Sequence, residues 1–152
     1  MHLAHYLGLL DRAHAVMADA LRQVAAGHAA EADIAHLAEQ RAARCEHWSR
    51  EVRSFARTYA EEAPDEPERL HSELFRGTRG GGLGLLRDLQ DLYLMTAECD
   101  ICWTVVEQAA RGIRDDDLAK LAAEGGADIA VQLQWLRTRM KAAAPQALVV
   151  AD

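Results

Sequence analysis

The sequence predicts an all-α protein, a four-helix bundle with a long crossover between its second and third helices. Alanine dominates the apolar residues and only 5% of the residues are aromatic, a composition that favours helices because alanine loses no side-chain entropy on entering one. Four stretches also carry apolar residues at alternating spacings of three and four, which is typical of helices packed in a bundle. At 152 residues the chain is long enough for one domain. We place that domain at residues 1–144 and a C-terminal tail at residues 145–152.

The first two predicted helices span residues 2–27 and 31–62. Gly27 ends the first helix, as a glycine at a helix C-terminus does, and Pro64 stops the second, because the residue before a proline disfavours the helical conformation. The buried side of the first helix is predicted to be Leu3, Leu7, Leu10, His14, Met17, Leu21 and Val24, and that of the second Ile34, Ala38, Arg41, Cys45, Trp48, Val52, Phe55 and Tyr59.

The crossover is predicted at residues 64–82, which include the glycine run at 80–82. Adjacent antiparallel helices need only ~2–8 connecting residues, so this segment is long enough to run back along the bundle. The third helix would then be parallel to the second. The glycine run lies near Arg76 and Arg79, which leaves a phosphate site at the start of the third helix as an alternative to a flexible connection.

The third and fourth helices are predicted at residues 83–112 and 115–143. Acidic residues at 115–117 suit the start of a helix. The pair Gly125 and Gly126 interrupts the fourth helix and indicates a close approach of a neighbouring helix, a local bulge or a break. The buried side of the third helix is predicted to be Leu85, Leu89, Leu92, Thr96, Cys99, Trp103, Val106, Ala110 and Ile113, and that of the fourth Leu118, Ala122, Gly125, Ile129, Gln132 and Leu136.

Two helical hairpins joined by a bundle-length crossover resemble the ferritin-like superfamily over nearly the whole chain. That resemblance implies a di-iron site built from a Glu on each of two helices and a Glu-x-x-His motif on each of the other two. The sequence departs from this pattern. Three residues after Glu46 stands Ser49, and three residues after Glu124 stands Ala127, where the motif needs histidine. Only Glu98 on the third helix fits. The resemblance is therefore to a degenerate member that lacks the standard di-iron ligands.

A cluster of metal-ligating residue types is expected at mid-bundle. Paired residues in the second hairpin should have numbers that sum to about 228, and His14 in the first hairpin should lie opposite residues 43–45. Since the second and third helices are predicted to be parallel and to start near residues 30 and 84, Cys45 and Cys99 should lie at the same height along the bundle. Histidine and cysteine together suit zinc, iron or copper, so the sequence predicts a metal ion or redox cofactor near His14, Cys45, Cys99, Cys102, Glu46, Glu98 and Asp128.

Two alternatives remain open at this point. Buried free cysteines also behave as small hydrophobic residues, and His14 would then be a core histidine hydrogen-bonded to Glu46 or Asp128. The chain would in that case be a structural or interaction protein with an inert core, acting as a homodimer or docking a partner. The other alternative is an organic cofactor or small ligand in a core cavity opened by Gly125 and Gly126. No residue pattern specifies a substrate, so whether the protein is an enzyme is left open.

The charge and the termini restrict the partners and the compartment. The formal net charge of -7 argues against nucleic-acid binding, which needs a basic surface. No run reaches the ~20 apolar residues of a membrane span, and the N-terminus lacks the features of a signal peptide. Three cysteines do not form a disulfide framework. We therefore expect a cytoplasmic homo-oligomer without membrane contact, whose apolar residues 147–150 dock on the bundle or on a partner chain.

Overall fold

The computed structural model of the protein describes residues 2–60 and 75–150. Within these ranges the chain forms four α-helices followed by one π-helical turn, Gln146–Val150, and no strand. The helices are α1 (Leu3–Gly27), α2 (Ala32–Tyr59), α3 (Gly81–Ile113) and α4 (Asp116–Pro145). The predicted fold class, an all-α four-helix bundle, is confirmed.

The helix boundaries agree with the predicted ones to within two residues where the structure describes them. The predicted end of the second helix at residue 62 and most of the crossover lie outside the described residues. α4 continues through Pro145 into the π-helical turn, so the residues predicted as a tail begin as an extension of the helix. The boundary between a domain at residues 1–144 and a tail at residues 145–152 stays a prediction.

The C-terminus of α3 and the N-terminus of α4 are both capped. The Asp115 side chain accepts a hydrogen bond from the backbone N–H of Leu118 at 2.9 Å, which satisfies one of the free donors at the start of α4. α3 ends one residue after Gly112. Its C-cap is Arg114, which adopts the left-handed conformation with φ 60° and returns its N–H to the last turn of the helix. The hairpin α3–α4 therefore needs only two connecting residues.

Contacts between side chains fix the direction of each helix. His14 meets Trp103 and Met17 meets Thr96, so α1 and α3 are antiparallel. Asp11 meets Ser49 and Arg22 meets Glu39, so α1 and α2 are also antiparallel, and α2 is parallel to α3 as predicted. α1 packs against α2 and α3, and α4 packs against the same two helices. α2 and α3 therefore occupy one diagonal of the bundle.

The connection between α2 and α3 joins opposite ends of the bundle. Tyr59 at the end of α2 bonds to Asp115 at one end, whereas His28 before α2 bonds to Asp88 near the start of α3 at the other end. This placement explains why the connection must be long, because one α-helix of this size is on the order of 40–50 Å in length.

The two residues before the glycine run, Thr78 and Arg79, are held against the bundle. The Thr78 side chain lies over Gly27, where an added Cβ would come within 2.6 Å of it, and the Arg79 backbone lies equally close to Gly84. Arg79 also forms ion pairs with Asp88 and Asp91. These two residues are therefore packed against the bundle, and Arg79 is paired with carboxylates of the chain itself.

The core consists of two apolar clusters with polar residues between them. One cluster contains Leu7, Trp48 and Trp103, and the other contains Met17, Ile34 and Leu136. Both are filled mainly by the residues predicted for the buried sides of the four helices. Among the helices that the structure describes, none is both long and apolar enough to cross a bilayer.

Candidate functional site

The middle of the bundle contains a layer of buried polar side chains, which we call the polar layer. It comprises His14 from α1, Arg41 from α2, Thr96 from α3, and Asp128 and Gln132 from α4. His14, Thr96 and Gln132 are fully buried, and the side chains of Arg41 and Asp128 are 13% and 14% exposed. Polar groups in such surroundings are costly unless they are hydrogen-bonded. The partners of each group therefore decide what the layer can do.

Asp128 is the most heavily bonded member of the polar layer. Its carboxylate accepts from Trp48 Nε1 at 2.7 Å, from Arg41 Nη1 at 3.1 Å and from Arg44 Nε at 3.3 Å. Burial alone would raise the pKa of Asp128, but these donors outweigh it and lower the pKa below its ordinary value. The carboxylate is thus ionised at neutral pH, with both oxygens engaged, and it joins α4 to α2.

Gln132 connects three helices through its amide group. Its Oε1 accepts from Arg41 Nε at 3.1 Å and lies 3.8 Å from the Cys45 thiol, while its Nε2 donates to Thr96 Oγ1 at 2.9 Å. Thr96 in turn donates to the Leu92 carbonyl at 2.7 Å. α2, α4 and α3 are therefore linked in one hydrogen-bonded chain.

The tautomer of His14 follows from its partner. Trp103 Nε1 lies 2.9 Å from His14 Nε2, and because an indole nitrogen only donates, His14 Nε2 must accept. The proton of the neutral imidazole is then on Nδ1, which is buried and has no hydrogen-bond partner within residues 2–60 and 75–150. Burial lowers the pKa of His14 to about 4, although Asp128 and Asp11 act in the opposite direction. His14 is therefore neutral at physiological pH.

Trp103 occupies the space that the glycine pair of α4 leaves open. A Cβ at Gly125 would lie 2.4 Å from Trp103 Cζ2, whereas one at Gly126 would have no neighbour closer than 3.8 Å. α4 is continuous through both residues. Of the three possibilities, a close approach of a neighbouring helix, a bulge or a break, the structure therefore has the close approach, made by α3. The indole fills the position where a cavity for an organic cofactor was expected. Trp48 packs edge-on against it, with 5.8 Å between ring centroids.

All three cysteines are free and buried. Burial raises the pKa of Cys45 to about 12, that of Cys102 to about 11 and that of Cys99 well above its ordinary value. The thiolate is the form that attacks electrophiles and ligates metals. The three side chains are therefore neutral thiols packed in the core at neutral pH.

The seven predicted ligands are distributed over different environments. Cys99 and Cys102 lie in an apolar cluster, Cys45 contacts Gln132, and Glu46 pairs with Arg22 where both side chains are partly exposed. Asp128 belongs to the polar layer, and Glu98 is half-buried on α3. Across residues 2–60 and 75–150, no three His, Cys, Asp or Glu side chains are placed to hold a metal ion. The metal site stays a prediction, and in this geometry His14 would first have to release Trp103.

The level estimates were accurate for the second hairpin. Trp103 faces Gly125 and Thr96 faces Gln132, and both pairs of numbers sum to the predicted 228. In the first hairpin the contact of Asp11 with Ser49 indicates that the numbers of paired residues sum to about 60. This is slightly above the sum that follows from placing His14 opposite residues 43–45. Residues were thus placed at the correct height, while their bonding partners were not identified.

A second buried polar group, absent from the predicted cluster, lies at the end of the bundle where α3 begins. Asp88 is fully buried and accepts from His28 Nε2 at 2.7 Å, from the Arg79 backbone N–H at 3.0 Å and from Arg79 Nη1 at 2.8 Å. The signal in the sequence was a single acid between Leu86 and Leu89 on the apolar side of the helix. Through these bonds Asp88 joins Arg79, which precedes α3, to His28 in the turn before α2.

The surface of α3 differs from that of the other helices. Leu83, Leu94, Ile101 and Val105, which we call the α3 outer face, are spaced by eleven, seven and four residues and are all exposed. Such spacings place residues on one side of a helix. Val105 also lines an apolar pocket of about 350 Å³ between the first turns of α1 and the last turns of α3. This stripe is hard to see in the sequence because the buried side of α3 is equally apolar.

Comparison with known proteins adds no family to this description. No family model, no curated protein and no solved structure matches the chain. The class of protein therefore rests on its own fold, an all-α four-helix bundle with a polar layer in its core.

Proposed function

We propose that this protein is an interaction module whose bundle pairs with a second copy of itself through the α3 outer face. The proposal includes a ferritin-like topology, which is supported by the diagonal placement of the parallel helices α2 and α3. One observation carries the proposal: Leu94, Ile101 and Val105 are 52%, 64% and 40% exposed along one side of a single helix. Isolated exposed hydrophobic residues are ordinary, but a continuous apolar surface indicates an interaction site.

The contrast among the helices supports this assignment. Of the large hydrophobic side chains exposed on α1, α2 and α3, every one that the structure describes lies on α3. The exposed positions of α2 are instead occupied by residues such as Glu39, Arg44, Arg50 and Glu51. α3 already packs against α1 and α4 through its buried side, so the apolar residues on its outer side are left for a further partner.

Charge limits where a second copy can bind. Each chain carries a formal net charge of -7, so two copies repel each other except where their contact surface is neutral. The positions adjoining the α3 outer face carry one cation, Arg87, and two anions, Asp91 and Glu98, of which Asp91 is ion-paired with Arg79. This surface is therefore apolar and nearly neutral on a strongly acidic protein.

The available area is smaller than that of a standard dimer interface. From Leu83 to Val105 the α3 outer face is about 33 Å long, at 1.5 Å per residue, and about 10 Å wide, the diameter of a helix with its side chains. It therefore covers roughly 330 Å², whereas a standard interface buries about 800 Å² on each partner. We therefore expect a weak, reversible dimer.

Sedimentation velocity over a range of protein concentrations tests the proposal. We expect a dimer for the unaltered chain and a monomer for Ile101→Glu, because a carboxylate at the most exposed position of the face would be desolvated without a partner. The matched control is Val131→Glu on α4, since Val131 is 59% exposed but lies on another helix. A monomeric unaltered protein at 100 μM-scale concentrations, or an Ile101→Glu variant that dimerises like the control, would contradict the proposal.

A metal ion or redox cofactor at mid-bundle is the second candidate function. The observation that favours it is the buried Nδ1 of His14, which has no hydrogen-bond partner among the described residues and lies close to the level of Cys45 and Cys99. A change of tautomer that releases Trp103 would free this nitrogen to bind a metal. Elemental analysis of protein purified without an affinity tag tests it. Near-stoichiometric zinc, iron or copper that is lost in Cys99→Ala would support the site. Metal-free protein that also takes up none of these ions when they are added would exclude it.

A further inference from the structure

The apolar pocket lies at one end of the bundle and opens beside the α3 outer face. Its apolar walls are formed by Leu3 and Tyr6 from α1 and by Val105, Val106, Ala109 and Ile113 from α3, and His2 also lines it. Val105 belongs to both surfaces, so an occupant of the pocket would be continuous with a protein bound to the α3 outer face.

An exposed apolar segment lies at the opposite end of the same molecule. Leu148, Val149 and Val150 in the π-helical turn are 65%, 82% and 63% exposed, although they are three consecutive hydrophobic residues. This turn contacts α4 and α3. Because α4 and α3 are antiparallel, the turn lies near the start of α3, whereas the pocket lies near its end. The length of α3, about 50 Å at 1.5 Å per residue, separates the turn from the pocket of its own chain.

We propose that the segment Leu148–Val150 of one protomer fills the apolar pocket of a second copy, and this inference rests on the dimer proposed above. When α3 packs antiparallel against α3 of the partner, each start of α3 lies beside the partner's end of α3. The exposed segment of each chain then reaches the pocket of the other. The two contacts are equivalent by two-fold symmetry, which closes the assembly at two copies.

The arrangement explains two features that are unfavourable in an isolated chain. Both the segment and the pocket expose apolar surface to water, and burying one against the other removes both exposures. It also predicts that the pocket is incomplete in the monomer, since its outer wall is supplied by the partner.

Disulfide trapping between two different singly substituted chains tests the inference. Ile113→Cys places a thiol at the pocket and Val149→Cys places one on the segment. The three native cysteines are buried, which lowers the background reaction. Mixing the two chains under mild oxidation should give a covalent heterodimer on a non-reducing gel. A mixture of Val131→Cys with Val149→Cys is the control and should give little.

A second measurement separates failure of this inference from failure of the dimer. Replacing Leu148 and Val149 together by Asp should weaken the dimer at least tenfold, while Gln146→Asp, a charge added to the same turn, should change the dissociation constant less than threefold. If the unaltered chain dimerises and Ile101→Glu abolishes the dimer, but the Leu148/Val149 variant dimerises normally and no heterodimer is trapped, the inference is overturned and the dimer proposal stands. A pocket that binds only a small apolar molecule would give this same result.

Discussion

The polar layer and the α3 outer face reverse the usual distribution of side chains in a helical bundle. The polar layer places His14, Thr96 and Gln132 at full burial, where apolar residues are expected. The α3 outer face places Leu94 and Ile101 in contact with water, where polar residues are expected. Both regions are costly in isolation, the first because buried polar groups must be paired and the second because apolar surface is hydrated.

The two regions differ in how the cost is offset. In the polar layer nearly every donor meets an acceptor within the chain, and the bonds among Arg41, Asp128, Gln132 and Thr96 require one alignment of α2, α3 and α4. The layer therefore favours one packing of the bundle over alternatives with a similar apolar content. The α3 outer face has no such partner in the described residues, so its cost is offset only by association. The predictions below test this difference, in order of decreasing effect.

The largest loss of stability is expected when the carboxylate of the polar layer is removed. Asp128→Asn leaves Arg41 with a neutral partner in a mostly buried position and should lower the free energy of unfolding by about 3 kcal/mol. Urea denaturation followed by circular dichroism measures the change. Glu46→Gln is the control, because it breaks an ion pair whose side chains are about 40% exposed and should cost less than about 1 kcal/mol. Equal effects for the two variants would show that the polar layer is not special.

The glycine pair of α4 allows the packing of Trp103 to be tested directly. Gly125→Ala places a methyl group where Trp103 lies and should destabilise the protein by about 2–3 kcal/mol through overpacking. Gly126→Ala has free space around it and should stabilise the helix by about 0.5–1 kcal/mol. We expect the thermal unfolding midpoint to fall in Gly125→Ala and to rise in Gly126→Ala. A Gly125→Ala variant as stable as the unaltered chain would contradict the position of the Trp103 indole against Gly125.

His14 should make the bundle sensitive to mild acid. Its pKa is about 4 in the folded protein and about 6.5 when unfolded, so its contribution is complete above pH 6.5 and is lost as the pH falls. Between pH 6.5 and 5 the loss should be about 2 kcal/mol. The carboxylates that act on His14, Asp11 and Asp128, have lowered pKa values and titrate below this window.

The variant His14→Gln isolates this effect. Its amide oxygen can accept the Trp103 hydrogen bond, but it does not titrate. Urea midpoints of the two proteins at pH 6.5 and pH 5 give the comparison. The unaltered chain should lose about 2 kcal/mol more than His14→Gln over this interval, and parallel losses would mean that His14 is solvated or protonated in the folded state.

The smallest effect on folding is expected at the α3 outer face. Ile101→Glu should change the stability of the monomer by less than about 0.5 kcal/mol, as exposed substitutions do. The unaltered chain should instead show an unfolding midpoint that rises with protein concentration, because dimerisation stabilises the folded state by mass action. Midpoints that are independent of concentration in both proteins would place this face among ordinary surfaces.

Much of the polar layer was visible in the sequence without being recognised as a network. His14, Arg41, Thr96 and Gln132 each occupy the predicted buried side of a helix, and each lies near its middle. The predicted cluster selected residues by their ability to bind metals and therefore included Cys99 and Cys102, which are packed among apolar residues. Residue type was a weaker guide than position, because a buried polar residue needs a partner whatever its chemistry.

The sequence by itself determined the number of helices, their approximate ends, their buried sides and the parallel placement of α2 and α3. These features depend on local spacing, on helix-ending residues and on the length of a connection, all of which act within short stretches of chain. Only the tertiary structure decided that Trp103 donates to His14, that Arg41 bonds to Asp128 and that the thiols are embedded in the core. Such pairings depend on the rotation of each helix about its axis and on side-chain direction, which are set by packing against helices distant in the sequence.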